Sequence, residues 1–318
     1  MASTENKVRL LVIVGPTAVG KSAVAVEVAR RLPGAIVSAD SMQVYRGMNI
    51  GTGKIRPEEA KGIPHYLLDV CEPDEPFNVA RYVELADAAI AEICAQGLIP
   101  IIVGGTGLYI RALVDGFLFE TPPADADFRK QMRLVAEREG NEALHQRLQL
   151  VDPESAARIH PNDIRRVIRA LEIFHTTGES LSEKAARAKE LPKRYEASFY
   201  GLTAPRPFVY ERINRRVDQM IEQGLVGEVM NLLQAGFSSQ LTSNQAIGYK
   251  EIVDYLSGKA TFAEAVDNLK KVTRNYAKRQ LSWFRADSRI QWLNVCDYPD
   301  SESLAEAIVA DFRKGFRS

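Results

Sequence analysis

The stretch "LVIVGPTAVGKSAVAV" (residues 11–26) decides how the chain folds. A short apolar run enters a glycine-rich turn fitting G-x-x-x-x-G-K-[ST], with Gly15, Gly20, Lys21 and Ser22 at the defining positions, and a helix-like segment follows. Backbone N–H groups of such a turn, together with the positive end of the helix it opens, surround a phosphate. Lys21 adds a point charge and the Ser22 hydroxyl can ligand Mg²⁺. An accidental glycine turn would not need a strand before it and a helix after it, and both are present. The expected phosphate site therefore comprises Gly15, Pro16, Thr17, Ala18, Val19, Gly20, Lys21 and Ser22.

Working outward, "RLLVIV" (9–14) is continuously apolar, as expected of a strand covered on both faces. "GAIVSAD" (34–40), "HYLLDV" (65–70) and "LIPIIVGGTGLYI" (98–110) supply further strand candidates, and helical spacing marks 21–32 and 81–97. Strands alternating with helices predict an α/β fold, a P-loop NTPase-like parallel sheet whose binding turns share one edge. After "FLFETPPADAD" the texture becomes helical and charged. Residues 121–199 are expected to form a helical insertion domain, a lid or swivel. Residues 1–120 and 200–318 are expected to form the core with C-terminal helices. "YEASFYGLTAPR" (195–206) resembles a returning core strand, and helices are expected to dominate from there to the end.

Bulk composition is that of a globular protein of 318 residues, 46% hydrophobic and 26% charged. No apolar run approaches the roughly 20 residues of a membrane span, and "MASTENKVRL" does not read as a signal peptide. A cytoplasmic monomer is expected. Cys71, Cys94 and Cys296 form no C-x-x-C pair and are read as reduced. His65, His145, His160 and His175 show no metal-ligand spacing. The net charge is zero, which argues weakly against a nucleic-acid protein. Its distribution argues the other way. "LKKVTRNYAKRQLSWFR" (269–285) carries Lys270, Lys271, Arg274, Lys278, Arg279 and Arg285 with no acidic residue in the stretch, a stripe able to meet a polyanion.

Three features could turn a phosphate site into an active site. Asp40, in "SADSMQVYRGMNIGTGK" (38–54), follows the second strand and can accept a proton from a nucleophile beside the phosphate, or can simply cap the backbone. Thr106, in "GGTGLY", follows another strand and could bond a phosphate or a base, or lie in an ordinary turn. Asp69 could serve as a Walker B aspartate, but the short tract favours a residue ending an exposed strand. No N-K-x-D motif for guanine recognition occurs. A P-loop kinase of nucleotides or small metabolites is the alternative these residues leave open, and a non-catalytic RNA-binding protein is a third.

"GPTAVGKS", "SADSMQVYRGMNIGTGK", "HYLLDV", "IIVGGTGLYIRAL", "HPNDIRRVIRALEIF", "ERINRRVDQM" and "TRNYAKRQLSWFR" occur in the order seen in tRNA dimethylallyltransferases, which this chain resembles from about residue 10 to residue 285. Val19 and Ser282 are small departures, and the zinc finger of eukaryotic relatives is absent. The resemblance implies transfer of a dimethylallyl group from dimethylallyl diphosphate to N6 of adenosine 37 in a tRNA anticodon loop, with Mg²⁺ as cofactor. It makes the P-loop a diphosphate site with Ser22 on the metal. It implies catalytic roles for Asp40, Thr106, Lys21 and an arginine that is either Arg212 or Arg216. It further implies tRNA contacts from Asp40, Ser41, Met42, Gln43, Arg165, Arg166, Val167, Ile168, Arg169, Gln245, Gly248, Tyr249, Lys250, Arg274, Lys278 and Arg279.

Overall fold

The computed structural model describes residues 7–116, 125–190, 194–236 and 246–315. Along the chain run β1 (Val8–Val14), α1 (Lys21–Arg31), β2 (Gly34–Ser38), α2 (Pro57–Ala60), β3 (His65–Tyr66), α3 (Val79–Ala95), β4 (Ile99–Gly104) and α4 (Gly107–Asp115). Five helices follow: α5 (Ala126–Glu139), α6 (Asn141–Val151), α7 (Pro153–Arg158), α8 (Ile164–Thr177) and α9 (Leu181–Glu190). The chain then returns as β5 (Tyr195–Thr203), α10 (Arg206–Glu222), α11 (Leu225–Gln234), α12 (Tyr249–Leu256), α13 (Phe262–Arg285), β6 (Ile290–Asn294) and α14 (Ser301–Lys314).

All six strands form one parallel sheet in the order β3-β2-β4-β1-β5-β6. Leu10 to Val14 are 0% exposed, which is what an uninterrupted apolar run achieves only when helices cover both faces of its sheet. One such layer is α1 with α14: Val24, Ala25 and Val28 pack with Leu304, Ile308 and Phe312 over Leu11, Ile13 and Tyr200. Because β1 aligns Val14 with Gly104 of β4, and β2 aligns Ser38 with Val103, the turns after β1, β2 and β4 leave the sheet at the same level. The fold is thus a P-loop-like α/β architecture.

Two compact units result, Met1–Val114 with Tyr195–Ser318, and Asp115–Arg194. The second unit has its own core, in which Leu144 and Leu148 of α6 meet Val167, Ile168 and Leu171 of α8. Its α8 starts at Asp163, whose side chain accepts from the Arg166 amide, and stops at Gly178 in the left-handed conformation.

Two expectations need correction. Strand β6 lies at the sheet edge in the region expected to be dominated by helices; its five residues follow a 24-residue helix and pair with β5. The third strand ends at Tyr66 rather than Val70, because Leu67 and Asp69 turn to φ values of 64° and 55°. Among the described residues no helix is long and apolar enough to cross a membrane.

Candidate active site

A cavity of about 960 Å³ opens at the strand C-termini within the sheet-bearing unit. Its wall includes Lys21, Ser22, Asp40, Arg212, Arg216 and Tyr276. The P-loop forms its floor. Gly15 takes φ 147°, and a Cβ there would come within 2.5 Å of the Leu202 carbonyl, so the loop can tuck against β5 only with glycine at this position. Ala18 also adopts a positive φ, 63°, and Gly20 at φ 108° opens α1. Val19 and Pro16 are buried. Lys21 Nζ donates to the carbonyls of Gly15 and Pro16 at 2.9 and 2.8 Å. Burial pushes this ammonium down to about 8, against the pull of Asp40 and with the push of Arg216.

Asp40 satisfies the capping reading and still reaches the cavity. Its Oδ1 accepts from the amides of Met42 and Gln43 at 2.9 and 3.4 Å. The carboxylate is close enough to act electrostatically on Lys21, Arg216 and Tyr276. Thr106 stands beside it: Oγ1 accepts from the Ser41 amide at 3.0 Å, and the Thr106 amide donates to the Ala39 carbonyl at 3.1 Å. Tyr276 of α13 completes the group. Burial raises its phenol well above the ordinary range, and Asp40 acts the same way, while bonds to Thr106 and Gln280 oppose them.

Arg212 and Arg216 lie one turn apart on α10 and both face the cavity. Arg216 is half-buried, its Nη2 within 3.4 and 3.5 Å of the Thr52 and Gly53 carbonyls, and burial lowers its pKa against the attraction of Asp40. Arg212 is exposed at the rim, above the Phe208 ring and near Gly20. Gln43 donates to the same two carbonyls at 3.3 and 3.4 Å.

The expected RNA contacts separate into groups. Arg165, Arg166, Lys250, Lys278 and Arg279 are exposed. Arg274 is half-buried and donates to Asn214 Oδ1 at 2.7 Å. Val167 and Ile168, 0% and 4% exposed, belong to the core of the helical unit, because they fall on the inward face of α8. Arg169 pairs with the buried Glu172, which also accepts a two-pronged bond from Arg129 at 2.8 and 2.9 Å. Tyr249 is fully buried and braces Glu228, and Gly248, at φ 105°, is buried at the start of α12. Gln245 lies outside the described residues. The basic stripe is not free of acids in space: Lys270 pairs with Asp218 at 2.6 Å. Asp69 lies in the turn after β3, away from the cavity wall and bonded to Lys54 at 2.6 Å, which is not the placement of a Walker B residue.

Sequence reasoning assigned no place at the cavity to two residues of the α13 motif, Tyr276 and Gln280. Their spacing of four on one face of α13 was the signal that could have set them apart from Lys278 and Arg279.

Comparison with known proteins bears on this geometry. Residues 43–287 match the family model "IPP transferase", and residues 8–73 match "Isopentenyl transferase". A tRNA dimethylallyltransferase of Geobacillus thermodenitrificans is 49% identical over 305 residues, 96% of this chain and 95% of the relative. One of Carboxydothermus hydrogenoformans is 48% identical over 303 residues, 95% and 97% of the two chains. Among solved structures, the full-length tRNA isopentenylpyrophosphate transferase of Bacillus halodurans superposes with a TM-score of 0.72 at 46% identity, covering 97% of this chain and 96% of that one. A eukaryotic dimethylallyltransferase acting on tRNA gives 0.80 at 28% identity, covering 97% and 80%.

Proposed function

The chain belongs to the IPP transferase family, and we propose that it moves a dimethylallyl group from dimethylallyl diphosphate to N6 of adenosine 37 in the anticodon loop of tRNA. The observation that carries this reading is the convergence of the P-loop, Asp40 and the Gly104–Gly105 turn from three strand ends on one cavity, with Thr106 bonded to the Ser41 amide next to Asp40 and Arg216 and Arg212 entering from α10.

In this reaction the bond between the allylic carbon and the diphosphate oxygen breaks, and a carbon–nitrogen bond forms. Negative charge grows on the departing diphosphate. Lys21, the P-loop amides and the two arginines, which border the same cavity, would stabilise that charge there. The adenine amine is a weak nucleophile because its lone pair is delocalised into the ring. Asp40 accepts the proton that N6 gives up, holding its own orientation through the Met42 amide. Thr106 fixes Ser41, and with it the Asp40 turn, beside the acceptor.

The residues suit Mg²⁺ carried mainly by phosphate oxygens. Ser22 presents an exposed hydroxyl beside Lys21, and among the described residues no three His, Cys, Asp or Glu side chains cluster to cage an ion. Mg²⁺ commonly takes one or two protein oxygens and completes its shell with phosphate and water. Ser22 would hold it, and the ion would neutralise diphosphate charge.

An adenine stacked in a loop must leave the stack to reach a buried donor, at a cost of a few kcal/mol. Unstacked loop bases also expose the edges by which RNA is read. The exposed Arg165, Arg166, Lys250, Lys278 and Arg279 are the cations we assign to that interface, with Arg274 supporting them. The test is direct: protein, Mg²⁺, dimethylallyl diphosphate and unmodified tRNA are incubated, and nucleosides are read by mass spectrometry. A prenylated adenosine at position 37 is expected. Phosphoryl transfer from ATP with no prenylated nucleoside would sink the reading in favour of a kinase.

A further inference from the structure

Gln280 sits on α13 and is 5% exposed. Its Oε1 accepts from the Thr17 amide at 2.8 Å, and its Nε2 donates to the Gly105 carbonyl at 3.0 Å. Thr17 belongs to the diphosphate loop after β1, and Gly105 belongs to the turn that leads into Thr106. The β1–β4 ladder ends at Val14 and Gly104, so the sheet itself no longer ties these turns together where they reach the cavity. The Gln280 amide bridges them just past that point. A Cβ on Gly105 would come within 2.1 Å of Gln280 Nε2, so the turn admits this amide only because residue 105 is glycine.

The bridge has a chemical requirement that narrows the choice of side chain. One end must accept and the other must donate, and both must reach backbone from the same helix. Lysine and arginine have no acceptor, and an ionised glutamate has no donor for the Gly105 carbonyl. Asparagine is shorter by one methylene. The same helix carries Arg279 and Lys278 exposed next to Gln280, and Tyr276 one turn earlier. A helix assigned to RNA contact therefore also sets the spacing of the two turns that hold leaving group and acceptor.

We propose that Gln280 is a positioning residue for prenyl transfer: it fixes the Thr17 turn against Gly105 and so places the diphosphate at the correct distance from Asp40 and Thr106. This rests on the prenyl-transfer reading above. A misplacement of order 1 Å in a reacting pair can cost about a hundredfold in rate. Losing the bridge therefore affects turnover more than ground-state binding.

Two variants test it. Gln280→Met keeps length and burial but neither accepts nor donates. It is expected to bind inorganic diphosphate with Mg²⁺ about fivefold more weakly and to lose about a hundredfold in kcat, while tRNA affinity stays within about twofold. Gln280→Glu shares its cavity with Lys21, Asp40, Tyr276 and Arg216. When protonated it both accepts and donates, so its activity relative to wild type is expected to recover as pH falls. Wild-type kcat and diphosphate affinity in Gln280→Met would overturn the proposal. So would a Gln280→Glu pH profile parallel to wild type, or losses that merely track the folded fraction of both variants. Should the wild type bind diphosphate yet prenylate no tRNA, the assigned reaction fails, and the diphosphate comparison still decides the bridge.

Discussion

The hydroxyl of Tyr249 donates to Glu228 Oε1 at 2.6 Å, and the same carboxylate accepts from the consecutive amides of Asn49, Ile50 and Gly51 at 2.9, 2.8 and 3.1 Å. A concave run of backbone N–H groups is an anion-binding shape, and here an internal side chain fills it. The two following residues, Thr52 and Gly53, offer their carbonyls to Arg216 and Gln43. Removing the acceptor in Glu228→Ala leaves three amides without their partner and is expected to cost about 2 kcal/mol, against about 1 kcal/mol for Tyr249→Phe. Urea unfolding measures both. Equal costs for the two variants would mean that the amides find another acceptor.

Asp40→Asn separates the two jobs of that side chain. The amide oxygen can still accept from Met42 and Gln43, so fold and tRNA affinity should persist. The proton acceptor is gone, and kcat should fall about 10²-fold or more. Single-turnover measurement with saturating tRNA checks this, and an unchanged rate would leave Asp40 as a cap only.

Lys21 gives a pH signature. Its ammonium is brought down to about 8 by burial, while the unfolded chain titrates near 10.5. Between these values the unfolded state holds more protons, so this group's contribution to stability rises with pH across that window. Diphosphate binding needs the ammonium and should weaken above pH 8, approaching tenfold per pH unit. The slope should vanish in Lys21→Met. An identical slope in that variant would assign the titration elsewhere.

Glu27 gives the opposite sign. The Lys61 ammonium at 2.7 Å, with Arg31 at 2.7 Å, holds this carboxyl at about 2 although burial pushes it up. The stabilisation is fully present above about 4.5 and is lost as pH falls through 2. Glu27→Gln should therefore cost about 2–3 kcal/mol at neutral pH, shrinking toward zero near pH 2. Urea midpoints across that range test it, and a pH-independent difference would contradict the ion-pair account.

What the sequence disclosed and what it withheld follow from the range of the forces involved. The β1 run, the P-loop and α1 are written in adjacent residues, and glycines at 15 and 20 leave little conformational choice. That Asp40 and Thr106 lie at one sheet edge is legible because both follow apolar runs and strand ends of a parallel sheet share an edge, whereas catalytic roles for them are implied only by the family resemblance. Gln280 was not legible, since its meaning depends on backbone 263 residues away at Thr17. The resemblance implies RNA contacts from Val167 and Ile168 together with the neighbouring arginines, whereas helical periodicity turns these two side chains inward. Tyr249 likewise stands beside an exposed Lys250 and faces the other way. Strand β6 escaped notice because an edge strand of five residues has too little pattern to stand out after a long helix.

The position of β1 has a consequence for synthesis on the ribosome. Its neighbours are β4, which precedes the helical unit in the chain, and β5, which follows it; the β1–β5 register pairs Val8 with Tyr195. While the chain emerges, the first strand made stays open along one side until the whole inserted unit has been translated. The inserted unit suffers no such delay, because its core joins helices that are neighbours in the chain. Contacts between residues far apart in sequence form slowly, and an unpaired apolar edge is open to wrong partners in the interval. The helical unit should therefore be structured on the nascent chain before the P-loop has a finished sheet to stand on.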